Sequence, residues 1–202
     1  MSIATALIKK IAKLAAGAVF CANDFCDLGS RGAIDVTLHR LAKAGIIRRL
    51  GFGLYDKPRK SSLLGDLTPD ISSILKAYSR RTGQTITMDP LSSANALNLT
   101  TQVPAQMTFL TDGKSHVIQI CGINVKLVHA SPKKLAGADT PVGIIIQALR
   151  YYGSHDMPDK DLKALARRLS DKDIRILKSL RGSTLQQITN KIDRIVSHAT
   201  VH

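Results

Sequence analysis

The chain has 202 residues, 44% of them hydrophobic, and a mean hydropathy of +0.02, a profile of a globular protein with one large or two small domains. Its 29 Lys and Arg exceed its 15 acidic residues by 14, and every acid is Asp, so the charge implies a polyanionic partner or an anionic membrane. Aromatics make up only 4% and Trp is absent, which supplies base-stacking platforms poorly and favours duplex DNA over single strands.

Residues 1 to 60 hold 11 basic and 4 acidic side chains, a net +7 (11 − 4), and the longer remainder carries the other +7 (14 − 7), so charge is densest at the N-terminus. Ile3, Leu7, Ile11 and Leu14 fall on one helical stripe and predict an amphipathic first helix. Lys9, Lys10 and Lys13 interrupt the apolar run, which leaves neither a membrane span nor a secretory core and points to a cytoplasmic protein with no membrane partner. Ala18-Val19-Phe20-Cys21 resembles a lipoprotein cleavage site only loosely, since no apolar stretch precedes it. Cys21, Cys26 and Cys121 make an odd number without CxxC spacing, so we expect buried free thiols rather than disulfides or zinc.

The segment from Asn23 to Pro58 is the most informative. Asp24 to Leu28 reads as a short helix and Gly29 as a turn, after which Ser30 is placed to cap a helix with Ile34, Leu38 and Leu41 on its buried side. Lys43 lies in its last turn and Gly45 closes it. Ile46 to Leu50 and Leu54 to Asp56 then read as strands around Gly51-Phe52-Gly53, and Pro58 ends the unit. Helix, turn, helix and basic hairpin in this order predict a winged helix-turn-helix.

Lys57 to Ser62 leave that unit as a basic, polar stretch, with a boundary near residue 61 and Leu63 to Leu67 as a linker or docking segment. Thr68-Pro69 then opens a helix buried through Ile71, Ile74, Leu75 and Tyr78 that ends near Gly83, and Asp89-Pro90 opens another. Gln106 to Thr111, Ser115 to Cys121 and Ile123 to His129 predict a small antiparallel sheet. Thr140-Pro141 starts a helix with Val142, Ile145, Ile146 and Leu149 inside, stopped by Gly153. Three amphipathic patterns, punctuated by Ser170 and Gly182-Ser183, fill the rest to residue 202. The expected fold class is therefore α+β. A winged helix-turn-helix (1–61) precedes a mixed domain (62–202) with a small antiparallel sheet and a helical C-terminal part from about residue 158.

A recognition helix reads base edges through its N-terminal half, which makes Arg31 and Asp35 candidates for base contact, with Ser30 at its start and Thr37 and His39 for base or backbone. Arg40, Arg48, Arg49, Lys57, Arg59 and Lys60 suit phosphates. Neighbouring strand residues point to opposite faces, so only one of Arg48 and Arg49 is expected to face DNA, the other being free to pair internally with Asp24 or Asp27. Tyr55 fits partly buried packing better than a phosphate contact, whereas Phe52 at the hairpin tip suits a minor-groove wedge or a protein contact. The mixed signs of the terminal helices, Lys160 to Arg181 among Asp159, Asp161, Asp171 and Asp173, read as a solvated face with local pairs.

Catalytic patterns are thin. Asp112, His116, His129, His155 and Asp156 have no spacing that demands a shared site, and His116 and His129 read as a surface pair across a hairpin rather than as metal ligands. No P-loop, dinucleotide fingerprint or nucleophile elbow occurs, so neither cofactor, metal nor enzymatic activity is expected.

The stretch GSRGAIDVTLHRLAKAGIIRRLGFGLYDKP resembles the winged domain of AbiEi-type antitoxins from bacterial type IV toxin-antitoxin systems, and ALNLTTQVPAQMTFLTDG with VKLVHASPKKLAGADTPVGIIIQALRYYG resembles the second domain of a subgroup of that family. The resemblance implies a DNA-binding autorepressor acting on inverted repeats in its own promoter. It also implies an antitoxin against a nucleotidyltransferase-like toxin with which it forms no stable complex. On it, the winged domain around Arg31, Arg40 and Arg49 would repress and residues 62 to 202 would neutralise the toxin. A stand-alone winged-helix regulator with a ligand-sensing second domain is the alternative, and a nucleic-acid enzyme using His116, His129 or Asp112 ranks last.

Overall fold

The structure is a computed structural model that describes residues 2–199. It divides into two compact units, residues 1–84 with 119–123, and residues 85–118 with 124–202.

In the first unit, α1 (Ile3–Ala12) is followed by β1 (Val19–Cys21), a 3₁₀ segment (Ala22–Leu28) and α2 (Arg31–Lys43). Then come β2 (Arg48–Gly51), β3 (Leu54–Asp56), β4 (Arg59–Ser61), β5 (Gly65–Leu67) and α3 (Ile71–Thr82). The stripe of α1 buries Leu7 and Ile11 against Phe20, Phe25, Ile34, Leu38, Leu41, Ile47 and Tyr55. Phe20 organises this core, meeting Phe25 edge-on at 5.5 Å and stacking on Tyr55 at 6.5 Å. Gly45, at φ +71, lets Ile46 N–H bond back to the Leu41 carbonyl at 3.0 Å and so ends α2 as expected.

The first sheet is antiparallel with strand order β1-β3-β2. Together with α1, the 3₁₀ segment and α2, it matches the element order of a winged helix-turn-helix. Strand β1 escapes the sequence reading because all three of its residues are buried, which removes the alternation that marks a strand. The expected linker from Leu63 to Leu67 is instead one arm and the tip of a second antiparallel hairpin, β4–β5. The first unit also continues past residue 61, because α3 is tied back to it. Arg80 forks onto the Asp24 carboxylate at 2.6 and 3.0 Å, and the Asn23 amide donates to the Arg80 carbonyl at 2.7 Å.

The remaining elements, in the second unit except for residues 119–123, are β6 (Ile86–Met88), α4 (Pro90–Ala96), β7 (Thr108–Thr111), β8 (His116–Ile120) and β9 (Ile123–His129). The helices α5 (Pro132–Leu135), α6 (Gly143–Tyr152), α7 (Asp159–Ala166), α8 (Asp171–Leu180) and α9 (Gln186–Ala199) follow. The expected strands form, but β6 adds a fourth and the order is β6-β7-β9-β8, with β7 and β9 parallel. The sheet is therefore mixed. Strand β8 takes the outer position and the tight Cys121-Gly122 turn returns β9 beside β7. Val125 and Leu127 are buried on β9, as the alternation requires.

Helix α6 buries Ile145, Ile146 and Leu149 against Leu162, Leu165, Leu177, Ile188, Ile192 and Ile195 of the terminal helices. Its start is two residues later than Thr140-Pro141 suggests, since the Thr140 hydroxyl is spent on the Gly137 carbonyl at 2.6 Å. Lys191 of α9 is buried and donates to the Gly153 carbonyl at 2.8 Å, and burial pushes its ammonium down from the ordinary lysine value. Ser170 and Asp173 cap α8 reciprocally. The helical run is followed to Ala199; residues 200–202 lie outside the described residues.

Asp70, not Thr68, caps α3, accepting from the Ser73 N–H at 2.9 Å and the Ser73 hydroxyl at 2.6 Å. These bonds hold its carboxyl below the ordinary aspartate value. A lowered folded-state value means that the stabilisation is complete above about pH 4 and is lost as pH falls through that lowered value. Asp70→Ala is expected to cost about 1 kcal/mol at pH 7 in urea unfolding, with the gap to wild type closing in acid. An undiminished gap at low pH would exclude the carboxylate as its origin.

Candidate nucleic-acid interface

Helix α2 presents its polar side from Ser30 onwards. Ser30 occupies the N-cap position with extended backbone, but its hydroxyl makes no capping bond. Arg31 and Asp35, the candidate base readers, pair with each other one turn apart at 3.5 Å, both about half exposed. Such a pair contributes little to stability and opens readily for a competing partner. Thr37 is not open in the same way. Its hydroxyl donates to the Ala33 carbonyl at 2.7 Å, the back-bond that a mid-helix Thr makes when no other acceptor is closer. His39, Arg40 and Lys43 are exposed, and their side chains make no ion pair or hydrogen bond among the described residues. Val36 stands 50% exposed among them. It lies off the Ile34, Leu38 and Leu41 stripe, so the spacing that defines the buried side also flags it, and an apolar side chain there suits a thymine methyl.

The two adjacent arginines of β2 diverge. Arg49 is exposed and pairs in register with Tyr55, whose ring is buried. Burial raises the Tyr55 hydroxyl above its ordinary value, while Arg49 lowers it and Asp35 raises it, so the middle of α2 and the outer strand lie within electrostatic reach of the same group. Arg48 turns inward. Its guanidinium forks onto the fully buried Asp56 at 3.0 and 2.7 Å and also donates to the Leu67 carbonyl at 2.7 Å. The hydrogen bonds it donates to Asp56 hold its value above that of a free arginine. The internal partner is thus Asp56. Asp24 is taken by Arg80, and Asp27 by Lys10 at 2.7 Å, which lowers the Asp27 carboxyl.

Lys57 is also structural, donating to the Ala12 and Leu14 carbonyls at 2.8 Å each and so closing the end of α1. Phe52 packs edge-on against Tyr78 of α3 at 6.3 Å, although it stays 44% exposed. The hairpin tip is therefore backed by α3. Arg59 and Lys60 of β4 are exposed and free of ion pairs among the described residues.

Of the expected residues, the fold leaves Ser30, Arg31, Asp35, His39, Arg40, Arg49, Arg59 and Lys60 accessible, and commits Thr37, Arg48 and Lys57 to internal bonds.

Elsewhere, His129 meets the Gly113 carbonyl at 3.0 Å and His116 the Lys114 carbonyl at 2.7 Å, each through Nδ1. Asp112 accepts from the Thr85 N–H at 3.0 Å. Among the described residues no group of three His, Cys or Asp side chains is arranged to hold a metal ion. The cysteines are free, but only Cys21 is buried; Cys26 and Cys121 are exposed. The terminal helices carry local pairs, Lys163 with Asp159 at 2.8 Å and Arg181 with Asp193 at 2.7 Å. Among the described residues no helix is long and apolar enough to cross a membrane.

These features define an α+β protein of two units, the first with a winged-helix element order and an exposed cationic side. The chain belongs to a family of unknown function, DUF6088, whose model matches residues 6–177. It is similar to the crystal structure of the RV2827C protein from Mycobacterium tuberculosis, at 16% identity and a TM-score of 0.40, over 98% of this chain and 80% of that one. Comparison with curated proteins gives no match.

Removing Arg48 leaves a buried carboxylate unpaired. Arg48→Ala is expected to destabilise the protein by about 3 kcal/mol in urea unfolding. Arg49→Ala, on the exposed side of the same strand, should leave the midpoint unchanged. Equal midpoints for the two variants would remove the structural role assigned to the fork.

Proposed function

We propose that this protein is a sequence-specific duplex-DNA-binding transcription regulator. The observation that carries the reading is the exposed side of α2, where Arg31, Asp35, Val36, His39, Arg40 and Lys43 share a helix in the recognition position of a winged-helix element order. Arg49, Arg59 and Lys60 add unpaired cations suited to phosphates, and the net charge of +14 favours association with a polyanion. Asp35 can accept from a cytosine amino group, and Arg31, once released from it, can fork onto guanine.

The resemblance to AbiEi-type antitoxins extends this proposal to autorepression of a toxin-antitoxin operon through inverted repeats, with indirect neutralisation of a nucleotidyltransferase-like toxin. Rescue of growth when the protein is co-expressed with such a toxin tests that extension separately from DNA binding.

Binding to the region upstream of its own coding sequence should weaken steeply with salt, because each phosphate contact releases counterions. Arg31→Ala is expected to reduce the preference for that region over random duplex by about tenfold or more, while Lys60→Ala weakens both alike and lowers the salt slope by about 1. Fluorescence anisotropy across a salt series measures all three. An Arg31→Ala variant that loses affinity equally on both duplexes would remove its base-reading role. If two copies bind together, their half-sites should lie about 34–36 Å apart.

A further inference from the structure

The tip of the first hairpin, Phe52-Gly53, is occupied within its own unit. Phe52 meets Tyr78, and the place of a Gly53 side chain is filled by the Arg81 guanidinium, whose Nε lies 2.8 Å from where a Cβ would stand. The second hairpin is the opposite. Its three-residue loop, Ser62 to Leu64, is closed by Gly65 at φ +69, and it holds Leu63 and Leu64 at 92% and 78% exposure. No other adjacent pair of large apolar side chains among the described residues stands so far into solvent. The tip is also held in shape, because the Leu63 and Leu64 N–H groups both donate to the Ser61 hydroxyl at 3.3 Å. Its base is fixed by the Arg48 bond to Leu67.

The stem is cationic. Arg59 and Lys60 are exposed without ion pairs, and the one carboxylate of the hairpin, Asp66, sits opposite Lys60 and acts on Arg48 at the base. An apolar point on a basic, two-stranded stem is the arrangement by which architectural proteins pry apart a base step from the minor groove. We propose that β4–β5 is a DNA-bending wing, in which Leu63 and Leu64 wedge between base pairs while Arg59 and Lys60 hold the flanking phosphates. The proposal rests on the duplex-binding reading and adds to it the mode of contact. Charge complementarity selects DNA over a second copy of this chain meeting it through the same hairpin, which would bring Arg59 and Lys60 against like charges.

The test uses the full chain and end-labelled duplexes of about 40 base pairs, tiled across the region upstream of its coding sequence and rich in flexible TpA steps, with energy transfer between the ends reporting the bend. Wild type is expected to bend bound duplex by about 20–90°, and Leu63→Ser/Leu64→Ser to abolish the bend and weaken binding by about tenfold while unfolding at the same temperature. Lys60→Ala should weaken binding yet keep the bend. Binding without a bend, or a bend unchanged in the double serine variant, overturns the wing and leaves duplex binding intact. A double variant that turns a dimer into a monomer in sedimentation, with the bend preserved, assigns the leucines to self-association instead. Absence of duplex binding by wild type overturns the functional reading and the wing together.

Discussion

The fork of Arg48 onto Asp56 is the constraint on which the first unit depends. Asp56 is the last residue of the central strand, fully buried, and a carboxylate there is tolerated only with a charged, hydrogen-bonding partner. Arg48 supplies it across the β2–β3 pair and spends a further N–H on Leu67. One guanidinium thus joins the two hairpins, which otherwise have separate ladders. Lys57, the next residue after Asp56, repeats the strategy by closing the end of α1. Two of the cations nearest the expected interface are therefore part of the scaffold, and the accessible charge is left to residues whose side chains make no bond into it.

Much of this was legible in the sequence because it depends on local pattern. The stripe Ile34, Leu38 and Leu41, the glycine after α2, and the Pro-initiated α4 each follow from helical spacing and end chemistry. The split between Arg48 and Arg49 follows from the period of a strand. Its direction does not, since which face is inward depends on the partner strand, and Asp56 was hidden because a buried carboxylate looks like any other Asp until its neighbour is known. Strand β1 and the β4–β5 hairpin escape the sequence pattern for opposite reasons. The first is uniformly buried and the second almost wholly exposed, so neither alternates.

The candidate site is legible in a different sense. Spacing separates the buried from the exposed side of α2 and so gives Arg31, His39 and Arg40, but it cannot see bonds made back to the main chain. Thr37 is removed from the accessible set by a carbonyl four residues earlier, and Phe52 is drawn towards Tyr78, distant in sequence. In the second unit the helices were recognisable from Leu and Ile periodicity, whereas the parallel pairing of β7 with β9 depends on a non-local choice of neighbour that no segment encodes alone.

The contact between Arg31 and Asp35 places a negative charge in the middle of an otherwise cationic helix side. For any polyanion brought to that side, the carboxylate is a local repulsion that only a suitably placed donor relieves. General attraction then comes from the surrounding arginines and lysines, while Asp35 penalises misaligned or chemically unsuitable surfaces. On the proposed duplex-binding reading, selectivity at this surface arises as much from what it rejects as from what it holds.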